Sequence, residues 1–295
     1  MKSQLIVLGA TGCIGRRAVA AALEAGRGVV AVARDGAELQ ALRSAHADYG
    51  KALTTLDASV SSDVAAADLA ARIRATGLPV DGVIAAIGGD TVRGRLLDQP
   101  AEFLRHRLDE DLLPHLFAAR HLLPLLAESQ RGGYVLIGGP GADQPWAGYG
   151  HRSIGAAALR MLARVLHDEA RACAVRVQLL AVDSPARTDS NARHACSQWP
   201  SADAIAHHAV AMTAGAEPPQ HAIVRFADGA SAARGVRATP TTLWSDNLEG
   251  AASDVPKPTI ARAPVDSGAP RSSSDVNALL RAIASSPRLQ ETSPP

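Results

Sequence analysis

Leu5-Ile6-Val7-Leu8-Gly9-Ala10-Thr11-Gly12-Cys13-Ile14-Gly15-Arg16 stands at the start of the chain, and its reading decides the fold. Four consecutive apolar residues, Leu5 to Leu8, predict a strand buried on both faces, because a half-exposed strand alternates. Three glycines spaced three apart follow, and then an Ala-rich helical stretch. In such a unit the first glycine allows a tight turn, the second lets backbone approach a pyrophosphate, and the third lets the helix pack close to the strand. Gly9, Gly12 and Gly15 therefore predict a dinucleotide site. Thr11, Cys13, Ile14 and Arg16 surround the phosphates, which rest on free N–H groups at the helix N-terminus.

Outward from this unit, apolar strands alternate with helical stretches. Strands are predicted over 29–33, 53–56, 80–87, 133–138, 175–182 and 222–226. Helices are predicted over 14–25, 38–46, 63–76, 100–108, 109–126, 154–171 and 202–213. Val64, Leu69 and Ile73 are the apolar residues of the third helix. Leu112, Leu113, Leu116, Phe117, Leu122 and Leu123 mark a wide face on the 109–126 helix, and Leu159, Leu162, Val165 and Leu166 a face on the 154–171 helix. The alternation implies parallel βαβ units with right-handed crossovers. The fold class is thus α/β, a Rossmann-type doubly wound parallel sheet of seven strands with helices on both faces, in one domain over 1–230. Residues 231–295 turn rich in Ser, Pro, Ala and Arg and read as a largely extended or disordered extension. One helix is expected there over 274–285, capped by Ser274 and Asp275.

Bulk composition excludes several classes of function. The chain has 295 residues, 47 % hydrophobic, with a net charge of +1 and 3 % aromatic residues. Such a balance argues against nucleic-acid binding, and no apolar run approaches the ~20 residues of a membrane span. Strand-like residues begin at position five, which leaves no room for a signal peptide and predicts a cytoplasmic protein. Cys13, Cys173 and Cys196 are odd in number and far apart, so no disulfide framework or metal site is expected, and they read as small buried or incidental residues. His207 and His208 are adjacent on a helix, point apart, and read as surface.

The second strand ends in Arg34-Asp35. An NAD site usually has a carboxylate at this strand end, and Asp35 stands one position late for it. A guanidinium suits a ribose 2′-phosphate, so Arg34, with Arg16 converging on it, predicts NADP rather than NAD.

Gly9-Ala10-Thr11-Gly12-Cys13-Ile14-Gly15, Leu56-Asp57-Ala58, Ile84-Ala85-Ala86-Ile87-Gly88 and the Gly133–Gly139 strand, in this order, resemble the short-chain dehydrogenase/reductase family over about residues 3–229. The resemblance implies that Asp57, with Ala58, contacts the adenine. It sets Ala86, Ile87 and Gly88 along the adenine ribose, without the amides usual there, and gives Thr188 the nicotinamide carboxamide. The family's catalytic Asn, Ser, Tyr and Lys are not matched. The Asn position falls on Asp111 and the Ser position on Gly139 or Gly138. Tyr-x-x-x-Lys is absent in any register, and the chain's lysines are Lys2, Lys51 and Lys257. Matching Tyr to Tyr sets Tyr149 with Ser153 in the Lys place; matching the helix sets His151 with Gly155 and turns His151 to the nicotinamide.

His151, Tyr149 and Asp111 are thus the candidate catalytic residues: His151 titrates near neutral pH, Tyr149 is an acid only with a lowered pKa, and Asp111 can orient His151 or a water. Three functions follow from this set. One is an NADP(H)-dependent oxidoreductase on a small carbonyl or alcohol, with a non-standard proton donor. A second is a non-redox dehydratase, isomerase or cyclase. The third is a catalytically inactive nucleotide-binding or scaffold protein. The resemblance further implies a homodimer or homotetramer through the two long helices, with His194, Cys196 and Trp199 of the 189–200 segment facing a small-molecule substrate.

Overall fold

The computed structural model describes residues 3–89, 91–129, 132–215 and 221–227. The expected extension over 231–295, with its helix, lies outside the described residues. Strands and helices alternate as β1 (Gln4–Leu8), α1 (Cys13–Glu24), β2 (Gly28–Ala33), α2 (Gly36–Ala45), β3 (Leu53–Asp57), α3 (Asp63–Arg74) and β4 (Val80–Ala85). Then come α4 (Phe103–Asp111), α5 (Leu113–Ser129), β5 (Gly133–Gly138), α6 (Gly150–Ala170), β6 (Arg176–Ala181), α7 (Ala202–Ala214) and β7 (Ile223–Arg225). The seven strands form one sheet in the order β3-β2-β1-β4-β5-β6-β7, and every neighbouring pair is parallel. This is the Rossmann-type sheet that the alternation predicts.

Strand pleating divides the apolar residues between two cores. Ile6, Leu8, Val30 and Val32 point to the face covered by α3, α5 and α6 and meet Leu69, Leu122 and Leu166. Leu5, Val7, Val29 and Ala31 point to the other face and meet Val19, Leu39 and Ile205 of α1, α2 and α7. Each fully buried large aliphatic side chain contributes about 1.5–3 kcal/mol relative to exposure. That burial on both faces is why the strands lack alternation.

Several helix boundaries differ from the sequence reading. The break expected after Leu108 falls at Leu112, so Asp111 ends α4. Pro114 then lies in the first turn of α5, where its missing N–H breaks no helical bond. Helix α6 begins four residues before Ile154, at Gly150. The Ser153 hydroxyl there accepts from the backbone N–H of Trp146 at 2.8 Å and ties the incoming loop to the first turn. Helix α1 begins one residue early, at Cys13.

Val64 of α3, Leu116 of α5 and Val165 of α6, which belong to the apolar sets of their helices, are exposed. Val64 lies five residues before Leu69, on the far side of α3 from the buried Leu69 and Ile73. All three cysteines are exposed, so the buried reading of them fails. Among the described residues no helix is long and apolar enough to cross a membrane.

Candidate functional site

The strand order reverses between β1 and β4, whose connections leave for opposite faces. The crevice outside the carboxyl ends of these two strands is the binding place in open α/β sheets. Gly9 sits there at φ +71°, and a Cβ on it would stand 2.3 Å from the Ala86 carbonyl oxygen. A Cβ on Gly15 would stand 2.0 Å from the Gly9 carbonyl oxygen. Backbone contact at both positions keeps the turn against β4 and α1 against the turn. Gly12 is the N-cap of α1 and brings no side-chain cap to the first-turn N–H groups. The turn therefore offers unsatisfied donors and the helix dipole to an anion.

At the end of β2, Arg34 is exposed and enters no ion pair among the described residues. Asp35 is the N-cap of α2: its carboxylate accepts from the N–H groups of Ala37 at 2.8 Å and Glu38 at 3.1 Å. Its lateness for a ribose contact thus has a physical cause, since the helix uses it. Asp57 ends β3 with its carboxylate facing the start of α2, at 3.3 Å from where a Cβ on Gly36 would be. Arg16 folds back on the turn, donating from Nε and Nη2 to the Thr11 carbonyl at 3.1 and 2.6 Å.

A narrow cleft of about 70 Å³ opens beyond the end of β4. Its walls are Ile87, Gly88, Asp111, His115, Ile137, Gly139 and Pro140 together with Arg152, Gly155, Ala156 and Leu159 of α6. A Cβ on Gly139 or Gly155 would meet nothing within 4 Å, so these two glycines leave the space open. Asp111 is pinned at its rim, accepting from the Gly89 N–H at 2.6 Å. Arg152 donates to the Gly89 carbonyl at 3.2 Å and lies 4.0 Å from Asp111.

Of the three expected catalytic residues, only Asp111 lines the cleft. His151 is buried with its ring edge-on to Phe103 at 5.3 Å, and its Nε2 has no hydrogen-bond partner among the described residues. Burial above all, then the charge of Arg152, lowers its pKa, with Asp111 opposing. The phase of α6 turns Arg152, not His151, into the cleft. Tyr149 stacks on Trp146 at 4.5 Å, and Ser153, its proposed partner, is held by the Trp146 N–H. Two residues escape the sequence reading, His115 and Arg152. The signal for His115 is a lone polar residue in the apolar Leu112–Phe117 run, one turn beyond Asp111. Burial holds its pKa at about 4, with the Ile87 backbone offsetting this only in part, so the ring is neutral at pH 7.

A second hollow, of about 230 Å³, brings Cys13, Arg16 and Arg17 of α1 together with Thr188 across the fold. Thr188 is set by Asn191, whose Oδ1 accepts from its N–H at 2.8 Å. Arg17 pairs with Asp189 at 2.5 Å and Asp203 at 3.4 Å, joining α1 to that loop and to α7. His194 and Cys196 are exposed loop residues beyond it, and Trp199 is half-buried. A larger hollow, of about 680 Å³ between α2 and β3, is lined by Arg43, His46 and Lys51 and contains none of the residues above. Size alone does not identify the site here, because the switch point and the glycine turn lie elsewhere.

A family model described as short chain dehydrogenase matches residues 3–200. No curated protein matches the chain. A short-chain dehydrogenase structure from Streptomyces avermitilis is similar at 21 % identity and a TM-score of 0.65, over 77 % of this chain and 89 % of that one. A short-chain type dehydrogenase/reductase from Mycobacterium ulcerans is similar at 20 % identity and 0.68, over 76 % and 87 %. L-sorbose reductase from Gluconobacter frateurii, complexed with NADPH and L-sorbose, is similar at 17 % identity and 0.69, over 77 % and 95 %. At these identities the likeness to solved structures is one of fold.

Proposed function

The chain belongs to the short-chain dehydrogenase family, and from that premise we propose that it is an NADP(H)-dependent oxidoreductase for a small carbonyl or alcohol, with a proton donor other than the family's Tyr–Lys pair. The observation that carries the cofactor reading is the division of labour at the end of β2. Asp35 is committed to capping α2, while Arg34 is exposed without an ion pair and suits a 2′-phosphate. The close backbone contacts at Gly9 and Gly15 and the uncapped start of α1 fit a pyrophosphate. Asp57 and Ala58 would take the adenine, Ala86, Ile87 and Gly88 the ribose, and Thr188 the carboxamide. When bound, NADP(H) supplies or accepts the hydride. Asp111, pinned at the cleft rim, is the side chain best placed to accept a hydrogen bond from a substrate hydroxyl or a water. His151 and Tyr149 are engaged by Phe103 and Trp146.

Arg34→Glu is expected to weaken NADPH binding about 10- to 100-fold, the worth of ~1.5–3 kcal/mol for hydrogen bonds to a charged group. NADH binding should stay within about twofold on the same scale. Calorimetric titration of both nucleotides checks this. Equal affinity of the wild-type chain for NADPH and NADH would overturn the choice of cofactor, and no binding of either would overturn the site.

A second reading, nucleotide binding without net hydride transfer, draws on Gly139 and Gly155, which bring no side chain to the cleft. Consumption of NADPH with any carbonyl in a broad panel, followed by reduced-nicotinamide absorbance, would exclude it. The same family premise supports a homodimer or homotetramer. Leu116 of α5 and Ile154, Met161 and Val165 of α6 are exposed large apolar side chains on the two long helices. Light scattering should return two or four times the 30.5 kDa of the chain; the mass of a single chain would rule the assembly out.

A further inference from the structure

His115 is a polar side chain on the wall of the cleft whose ring nitrogens make no hydrogen bond of normal length to the described residues. It is fully buried, and among the described residues neither Nδ1 nor Nε2 has a hydrogen-bond partner within 3.5 Å, the Ile87 backbone acting on the ring only weakly. Buried polar groups are rarely left so, because each unpaired one costs about 1–3 kcal/mol. The ring is nevertheless a wall of the cleft, and the open positions at Gly139 and Gly155 form other walls of the same space. About 70 Å³ is enough for a few water-sized groups. The neutral imidazole carries one N–H donor and one acceptor. Its polar neighbours are already engaged: Asp111 accepts from Gly89, and Arg152 donates to Gly89.

The position of this space limits what can enter it. Ile87 and Gly88 line the cleft, and they directly follow Ala86, whose carbonyl lies against Gly9. A dinucleotide whose pyrophosphate rests at the start of α1 has two arms. One arm runs toward the end of β2 and Arg34. The other runs over the ends of β4 and β5, which is where the cleft opens. We propose that His115 is a ligand-binding residue, and that its imidazole hydrogen-bonds a hydroxyl of the nicotinamide-side ribose of the bound dinucleotide. This rests on the dinucleotide reading above and goes beyond it by assigning the second arm to a residue of α5.

The test compares two probes on the full chain. NADPH has both arms, whereas adenosine 2′,5′-bisphosphate lacks the nicotinamide and its ribose. His115→Phe keeps a ring but removes both nitrogens, and it is expected to weaken NADPH about tenfold, the worth of a single net hydrogen bond. Binding of the bisphosphate should be unchanged. His115→Gln, which keeps a donor and an acceptor, should recover most of the lost affinity. On wild-type protein labelled at histidine, nitrogen NMR should shift the His115 ring signals with NADPH and leave them in place with the bisphosphate. That measurement needs no variant to fold. Unchanged NADPH affinity in His115→Phe, equal losses for both probes, or ring signals indifferent to NADPH would each overturn the assignment. If the wild-type chain binds neither probe, the dinucleotide reading itself fails. If it binds both and only the His115 effects are missing, that reading stands and this one falls.

Discussion

Gly9→Ala is expected to lower stability by about 3–4 kcal/mol, and Gly26→Ala by only about 1–2 kcal/mol. The pair is informative because the two glycines share a backbone conformation, with φ of +71° and +74°. Any L-residue at that angle costs ~1–2 kcal/mol, so this part of the loss is common to both variants. The surroundings differ. A Cβ on Gly26 would meet nothing within 4 Å, whereas one on Gly9 would lie 2.3 Å from the Ala86 carbonyl oxygen. That oxygen belongs to backbone held by the Ala86 N–H bond to Leu8 at 3.1 Å, so it cannot turn aside as a flexible side chain would. Overpacking of this kind adds about 1–3 kcal/mol. At roughly 2–4 °C per kcal/mol, the Gly9 variant should melt about 6–15 °C below the wild type. NADPH affinity should fall in the Gly9 variant alone, because the turn can only accommodate the methyl group by moving away from β4. Thermal unfolding of both variants, with a nucleotide titration, checks this. Equal melting temperatures would mean that the contact with Ala86 carries no energy.

Arg160→Met has the second large expected effect. Arg160 of α6 is buried and pairs with Asp143 at 2.5 Å and with Asp183. Arg225 of β7 pairs with the same two carboxylates, at 2.6 Å to Asp143. The four side chains join the loop after β5, the middle of α6, the end of β6 and β7. Removing one partner of a fully buried pair costs ~3–5 kcal/mol. Here both carboxylates are about half exposed and can be rehydrated, so the expected loss is roughly 2–3 kcal/mol, or about 5–10 °C in melting temperature. Arg160→Lys should recover little of it, because one ammonium cannot fork to two carboxylates.

The arrangement also sets a dependence on pH. Hydrogen bonds from Arg160 first and Arg225 second hold the Asp143 carboxyl at about 2, below its ordinary 3.8. The folded state therefore favours the ionised form. The stabilisation is complete above the ordinary carboxylate pKa and is lost as pH falls through the folded value. The gap between wild type and Arg160→Met should be constant near neutrality and narrow from about pH 4 toward pH 2. A gap that is absent at pH 7 would show that the network contributes nothing.

What could be read from the residues alone follows their range of action. Leu5 to Leu8, the three glycines and the Ala-rich stretch are contiguous, and each states a local requirement: burial on both faces, a tight turn, a close helix. The alternation of such units extends that reading to the whole sheet. Boundaries shifted where a tertiary contact decided them, as at Gly150, where Ser153 holds the loop before α6. Asp35 was legible as misplaced for a ribose but not as a cap, because capping depends on where the chain turns into α2.

The catalytic side remained open between His151 and Tyr149 for the same kind of reason. Which residues of α6 face the cleft depends on the rotation of that helix about its axis. Packing of Leu159, Ala163 and Leu166 into the core sets that rotation, and it turns Arg152 and Gly155 to the cleft while His151 meets Phe103. His115 could be noticed in its apolar run, but sequence does not distinguish a satisfied core histidine from an unpartnered one. The sequence by itself determined the sheet, its glycine turn and the kind of ligand they suit, because near-neighbour sterics and hydrophobic pattern are local. Only the tertiary structure decided which polar groups meet at the cleft, because α6 carries Arg152 there from a part of the chain distant from Asp111 and His115 at the α4–α5 junction.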